Sequence, residues 1–336
     1  MLRYCGPFVF LGFIPLFFYG IGPGATFATV VLLLIAQIGV EIFSARGEVA
    51  PASGSYGFRA LVFLYIPLQL ILIGWAILAT PAMSPAGFAV LVLSVGVTTG
   101  VFGMLTAHEA VHSGDPLEEI FGTAMLSGMI YRHFRIAHIH GHHRWAATEK
   151  DAATARLGEG FYHFLIRTVI GQFCEALVFE RRRCAVRRLS LWRNRILRDA
   201  ALMALLFVAI VFFAGWRGAL FFLLQSAVAI TVLELFNYIA HYGLVRGIDA
   251  NGRPEALRDS HSWNSSNILA NRLIFNMGRH SSHHQKPTAP YQSLRHFAPA
   301  PELPAGYAGS ILLALAPPLW RLVMDTKVRR LRAMPA

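Results

Sequence analysis

The sequence predicts an all-α integral membrane protein of about six transmembrane helices, capped on the cytoplasmic side by histidine-rich helical segments. Three observations lead there. Of 336 residues, 55% are hydrophobic and only 14% charged, against about 25% charged in soluble domains, and the mean hydropathy is +0.50. Several apolar runs approach or exceed the ~18 to 20 residues that cross a bilayer, which a soluble protein with a large core does not need. All fourteen histidines lie between His108 and His296, outside those runs or at their ends.

In chain order, the first two spans are expected at about 7–20 and 25–43, joined by the turn GIGPG as a tight helical hairpin. The next two fall at 59–80 and 86–107, and the last two at 200–215 and 218–240. Between the fourth and fifth spans, segment 108–198 contains helix-like stretches such as 160–180 and reads as a folded cap rather than a linker. A second histidine-rich segment occupies 241–300. The tail 302–324 has an apolar stretch cut by Pro317 and Pro318, too short to span and expected to lie in the membrane interface. No fixed-period repeat or low-complexity tract divides the chain, so 1–336 reads as a single membrane domain.

Charge sets the orientation. The short turns near 21–24, 81–85 and 216–217 hold one basic residue, Arg217, whereas almost all the other Lys and Arg lie on the opposite side. Basic loops stay cytoplasmic, so both termini and the histidine segments are expected in the cytoplasm. The formal net charge of +12 does not imply nucleic acid: the run RRRCAVRRLSLWRNR at 181–195 precedes a span, where basic residues meet anionic headgroups. An acidic protein partner is the weaker alternative. Cys5, Cys174 and Cys184 have no CxxC spacing, so neither a disulfide framework nor a rubredoxin-like iron site is encoded, and any electron carrier must be a separate chain. The first apolar run lacks a small-residue cleavage site and is expected to be retained.

The chemistry concentrates in four clusters: HEAVH (His108, His112), HIHGHH (His138, His140, His142, His143), NYIAHYG (His241) and RHSSHH (His280, His283, His284). Residues three or four apart share a helix face. His108 with His112, His138 with His142, and His280 with His283 or His284 can therefore each aim two nitrogens at one point. A lone histidine is more often a packed residue than a ligand, but so many imidazoles at the end of bilayer spans are costly to desolvate without a cation. HEAVH satisfies the zinc-protease pattern HExxH, yet a catalytic zinc takes about three protein ligands, far fewer than these clusters offer. The surplus of nitrogen donors suits two redox-active ions, iron or copper. A metal transporter would place its ligands near the bilayer midplane, not at one end of the spans.

Together the motifs resemble those of the AlkB-type integral-membrane alkane monooxygenases, relatives of the membrane fatty acid desaturases and of the xylene monooxygenase hydroxylase. The likeness runs from HEAVH through HIHGHHRWAATEKDAATARLGEG, FNYIAHYGLVR and GRHSSHHQKPTAPYQSLRHF to LPAGYAGSILLALAPPLWRLVMD, about residues 100 to 325. It implies a nine-histidine di-iron site at His108, His112, His138, His142, His143, His241, His280, His283 and His284, leaving His133, His140, His163, His261 and His296 as non-ligands. It further implies two iron ions with O2 as co-substrate and a rubredoxin or ferredoxin with its reductase as partner. The setting implied is a bacterial inner membrane, and the substrate a hydrophobic molecule drawn from the lipid and hydroxylated at an unactivated C–H bond. Desaturation or decarboxylation of a fatty acyl chain, or hydroxylation of an alkylbenzene methyl, are the alternatives on the same scaffold.

The sequence departs from the family pattern where acidic residues commonly precede or interleave the ligands: it has Ala137, Ala240 and Ser282. Glu109, Asp115, Asp151, Glu234 and Asp259 are candidates to supply the carboxylates that orient metal-bound imidazoles. The substrate channel is expected between spans 86–107 and 218–240, among residues such as Gly100, Gly103, Met104 and Phe236.

Overall fold

A computed structural model describes residues 2–43, 45–47 and 56–333. The apolar runs become helices α1 (Gly6–Gly20), α2 (Pro23–Phe43), α3 (Tyr56–Ala79) and α4 (Pro85–Thr98). Helix α4 passes through a π-helical turn at Thr99–Gly103 into α5 (Met104–His112). Next come α6 (Pro116–Ser127) and α7 (Phe134–Ala137), then a second π turn over His138–His142, α8 (His143–Trp145) and α9 (Phe161–Val186). A long kinked helix, α10 (Arg195–His241), follows. After it come α11 (Ile268–Leu273), α12 (His280–Gln285), α13 (Gly306–Ala314) and α14 (Pro317–Ala333). Among the described residues no β-strand forms, and the irregular segment after α10 is held by isolated bridges such as Ile248 with Pro254.

Local chemistry fixes the helix starts. Ser84 accepts from Gly87 N–H at 3.2 Å with Pro85 at the first helical position, Asp115 accepts from Leu117 and Glu118 N–H at the start of α6, and Asn194 accepts from Leu197 N–H at the start of α10. Each is a side-chain oxygen satisfying an N–H that the helix leaves free.

Among the described residues, three stretches are long and apolar enough to cross a membrane: Gly57–Ala82, Pro85–His112 and Arg195–His241. Two of the expected spans, 200–215 and 218–240, lie in the third of these, one on each side of Gly215, whose backbone (φ 65°, ψ −167°) is not helical. Only glycine takes that conformation without strain. The expected span 7–20 is α1, a shorter apolar helix, and 25–43 falls within α2.

The polar-poor turns meet at one end of the bundle. Arg217 at the α10 kink donates to the carbonyls of Pro81 and Met83, and a side chain on Gly87 would meet Phe18 and Pro23 of the α1–α2 turn. From that end, α4–α5 and the second arm of α10 run side by side to His108, His112 and His241. They can approach closely because Gly96 and Gly100 present no side chain: a Cβ on Gly100 would lie 2.6 Å from the Ala229 carbonyl oxygen. Small residues four apart are the usual means by which membrane helices pack. Gln69 of α3 cross-links the same region, accepting from Tyr65 and donating to Thr99 in the first π turn at 2.8 Å.

Candidate metal centre

Four pieces of chain deliver the nine motif histidines to one place. The end of α5 brings His108 and His112, the second π turn with the start of α8 brings His138, His142 and His143, the end of α10 brings His241, and α12 brings His280, His283 and His284. They sort into two groups. His108, His112, His138, His143 and His283 form one, and His142, His241, His280 and His284 form the other, with the ligand atoms within each no more than 4.8 Å apart. Eight of the nine are buried; His143 alone is half-exposed.

The spacing logic holds for His108 with His112 and for His280 with His284. For His138 and His142 the structure differs from the expectation of a shared point. The π turn adds a residue per turn relative to an α-helix, so their rings stack at 5.1 Å while their nitrogens serve different groups. His283, three residues from His280, likewise turns to the first group.

The nitrogens converge in a way that hydrogen bonding does not satisfy. His143 Nε2 lies 3.1 Å from His112 Nε2, 3.0 Å from His138 Nε2 and 3.1 Å from His283 Nε2. His284 Nε2 lies 3.2 Å from His142 Nε2 and 3.0 Å from His280 Nε2, which itself lies 3.0 Å from His241 Nε2. A neutral imidazole carries one N–H, so each of these hubs would leave lone pairs facing one another. A cation at each centre removes that repulsion, and the donor set of buried imidazoles is one that suits iron. Burial, reinforced by neighbouring imidazoles, holds the pKa of His143, His283 and His284 well below the usual histidine range, which keeps them neutral and able to ligate.

Of the candidate carboxylates, Asp151 is the one that meets a motif histidine. Its Oδ2 lies 2.9 Å from His142 Nδ1 and also accepts from Thr154 Oγ1 at 2.7 Å. That contact fixes the Nδ1–H tautomer and directs the Nε2 lone pair inward. Glu109 instead accepts from Tyr291 N–H at 3.0 Å, Asp115 caps α6 and faces Arg59, and Glu234 accepts from Tyr131, Thr168, Gln172 and Asn237. Asp259 presents its backbone carbonyl to Ser281. At the departing positions, Ala137 packs in a small apolar cluster with Ile136, Ala176 and Ile196, and Ser282 accepts from Arg295 N–H at 3.0 Å. Ala240 lines a cavity.

The five remaining histidines belong to neither group. His133 lies against Tyr131 and Phe173, His140 is exposed beside Phe179, and His163 pairs with Glu159 at 2.9 Å. His261 contacts Glu255 and His296 faces Glu302.

The cavity that Ala240 lines is walled by Gly100, Met104, Leu105, Phe134, Leu233 and Phe236, and it reaches His108 and His138 of one group and His280 of the other. Of the residues named as examples from the expected channel region, Gly100, Met104 and Phe236 are in this wall, and Gly103 is not and packs instead on Met125.

All nine clustered histidines fall inside residues 83–311, which match the family model described as fatty acid desaturase. The chain belongs to the fatty acid desaturase family. Within that family it is 40% identical to alkane 1-monooxygenase 2 of Pseudomonas aeruginosa, over 81% of this chain and 74% of that protein. It is 36% identical to alkane 1-monooxygenase of Ectopseudomonas oleovorans over 95% of this chain and 79% of that one. The hydroxylase component of xylene/toluene monooxygenase from Pseudomonas putida is more distant, at 29% identity over 80% of this chain and 73% of that protein.

Proposed function

We propose that this desaturase-family protein is a membrane non-haem di-iron monooxygenase that hydroxylates the terminal methyl of an n-alkane or a related hydrophobic substrate. The observation that carries the proposal is the apolar cavity between α4–α5 and the second arm of α10, whose inner wall contains histidines of both groups. The names of its relatives agree with this activity. In this assignment His108, His112, His138, His143 and His283 hold one iron, and His142, His241, His280 and His284 hold the other.

When bound, the iron pair activates O2 so that one oxygen atom enters a C–H bond and the other leaves as water, at the expense of two electrons and two protons. The protein's own residues do the rest. Met104, Leu105, Phe134, Leu233 and Phe236 exclude water and align an apolar chain. His108, His138 and His280 mark where its reacting carbon must come. Asp151 keeps His142 in the ligating tautomer. Electrons arrive from a rubredoxin or ferredoxin with its reductase. We place the chain in a bacterial inner membrane with six spans and the histidine groups on the cytoplasmic side.

Iron-loaded protein supplied with rubredoxin or ferredoxin, its reductase, and a mixture of n-alkanes, alkylbenzenes and fatty acids tests this directly. The expected result is about two irons per chain and primary alcohols from the alkanes, identified by mass spectrometry. One zinc per chain, or unsaturated acyl products in place of alcohols, would overturn the proposal.

A further inference from the structure

Two cap helices carry apolar surface that no protein covers. On α9, Tyr162, Ile166, Ile170 and Phe173 are 56%, 65%, 60% and 43% exposed. At 100° per residue they fall within about 80° of arc, a single stripe. On α14, Leu319, Leu322 and Val323 form a similar exposed strip, while Trp320, Met324 and Val328 on the opposite side are buried. The helices meet at their starts, where Tyr162 Oη donates to the Leu315 carbonyl at 2.9 Å and Gly160 lies against Pro317.

Charge is distributed to match. Each helix ends in exposed arginines, Arg181 and Arg182 on α9, Arg329 and Arg330 on α14. Every acidic residue of the two helices is turned to protein instead. Glu175 accepts from Ala152 N–H, Glu180 is bound by Arg183 and Arg195, and Asp325 accepts from Tyr242 Oη. The outward surface is therefore apolar and cationic with no anion. Neither helix is among the stretches apolar enough to cross a membrane. After α9 the chain passes through exposed Leu191 and Trp192 into the first arm of α10, whose Leu205 and Phe212 are also exposed.

We propose that α9 and α14 are a membrane-seating surface: both lie in the plane of the bilayer, their stripes in the acyl boundary and their terminal arginines among anionic phosphate headgroups. A one-sided apolar stripe with basic residues and low net hydrophobicity is what an in-plane helix requires, and each arginine near an anionic surface adds attraction. The histidine-bearing cap is thereby held against the lipid rather than standing off in water.

Spin-label depth measurements on the full chain test this. With Cys5, Cys174 and Cys184 replaced by serine, a nitroxide is placed singly at Ile166, Ile170 or Leu322, with a reference at Asn251 in the exposed turn at 249–252. The protein is reconstituted in vesicles of phosphatidylethanolamine and phosphatidylglycerol, and only labelled proteins that keep the metal content of the parent are used. Collision with O2 should exceed that at Asn251, and collision with a water-soluble nickel complex should be several-fold lower. Replacing phosphatidylglycerol with phosphatidylcholine should raise nickel access at all three sites. Nickel access equal to that at Asn251 would show a solvated face, and shielding from both reagents would show a covering protein, a second copy or a partner; either result overturns the proposal.

Discussion

His142 Nδ1 and Asp151 Oδ2 lie 2.9 Å apart, both side chains buried, while the opposite nitrogen of the same ring faces His284 at 3.2 Å. The carboxylate thus acts on the inward-facing nitrogen, which it never touches. It is itself held by Ala153 N–H and Thr154 Oγ1. Asp151→Asn should leave all nine histidines in place but lower metal affinity by about 10- to 100-fold. Metal retained per chain after dialysis against graded chelator measures the effect, and unchanged retention would remove Asp151 from the centre.

The grouping of histidines predicts unequal results of mutation. His283→Ala removes a nitrogen that meets the His143 hub at 3.1 Å and should abolish hydroxylation and lower iron content, as should His108→Ala or His143→Ala. His163→Ala, at an exposed ring paired with Glu159, should change neither. Iron analysis alongside product yield checks both, and full activity of His283→Ala would refute its role as a ligand.

Ala240 offers a probe of the cavity that does not touch a ligand atom. It is 1% exposed and lies in the same wall as His280 and Phe236. Ala240→Leu puts three more carbons into that space, with an overpacking cost of about 1–3 kcal/mol. Iron content should be retained, and the ratio of products from a mixture of short and long alkanes should shift. An unaltered ratio would show that substrate does not pass this wall.

At the elbow between α9 and α10, the buried position of Glu180 would by itself raise its pKa. Hydrogen bonds from Arg183 and from the backbone and side chain of Arg195 prevail and bring it down to about 2, from an ordinary 4.5. A depressed carboxyl contributes stability that is present above its unfolded value and lost as pH falls through the folded one, here between about 4.5 and 2. Glu180→Gln should lower the denaturation midpoint of detergent-solubilised protein at pH 7 and flatten its decline on acidification; a parallel decline in both proteins would contradict this.

Much of this was legible before any coordinates, and the parts that were not have physical causes. Motif spacing marked pairs of histidines able to share a point and left His280 with His283 or His284 open, and the full set of nine was what the family resemblance implied. Their division into two groups was not legible, because HIHGHH folds as a π turn, and pattern reasoning at α-helical spacing sends His138 and His142 to the same point. Asp151 stood among five possible carboxylates, since its contact with His142 depends on the turn that follows α8. The membrane stripe on α9 was hidden because Arg167 and Glu175 break up any apolar run, although both side chains fold back onto protein. Gly103 looked like a channel residue by its neighbours in sequence, yet the first π turn rotates it toward Met125.

The second π turn and α12 have one property in common: each sends imidazoles to both groups, His138 and His142 from the first, His283 and His284 from the second. The interval between the two binding positions is therefore ruled by the pitch of two short backbone coils, not by the drift of domains or loops. Ions held by the two groups would share the peptide units of these two coils. Loading should then be paired, with singly occupied protein scarce at every iron concentration.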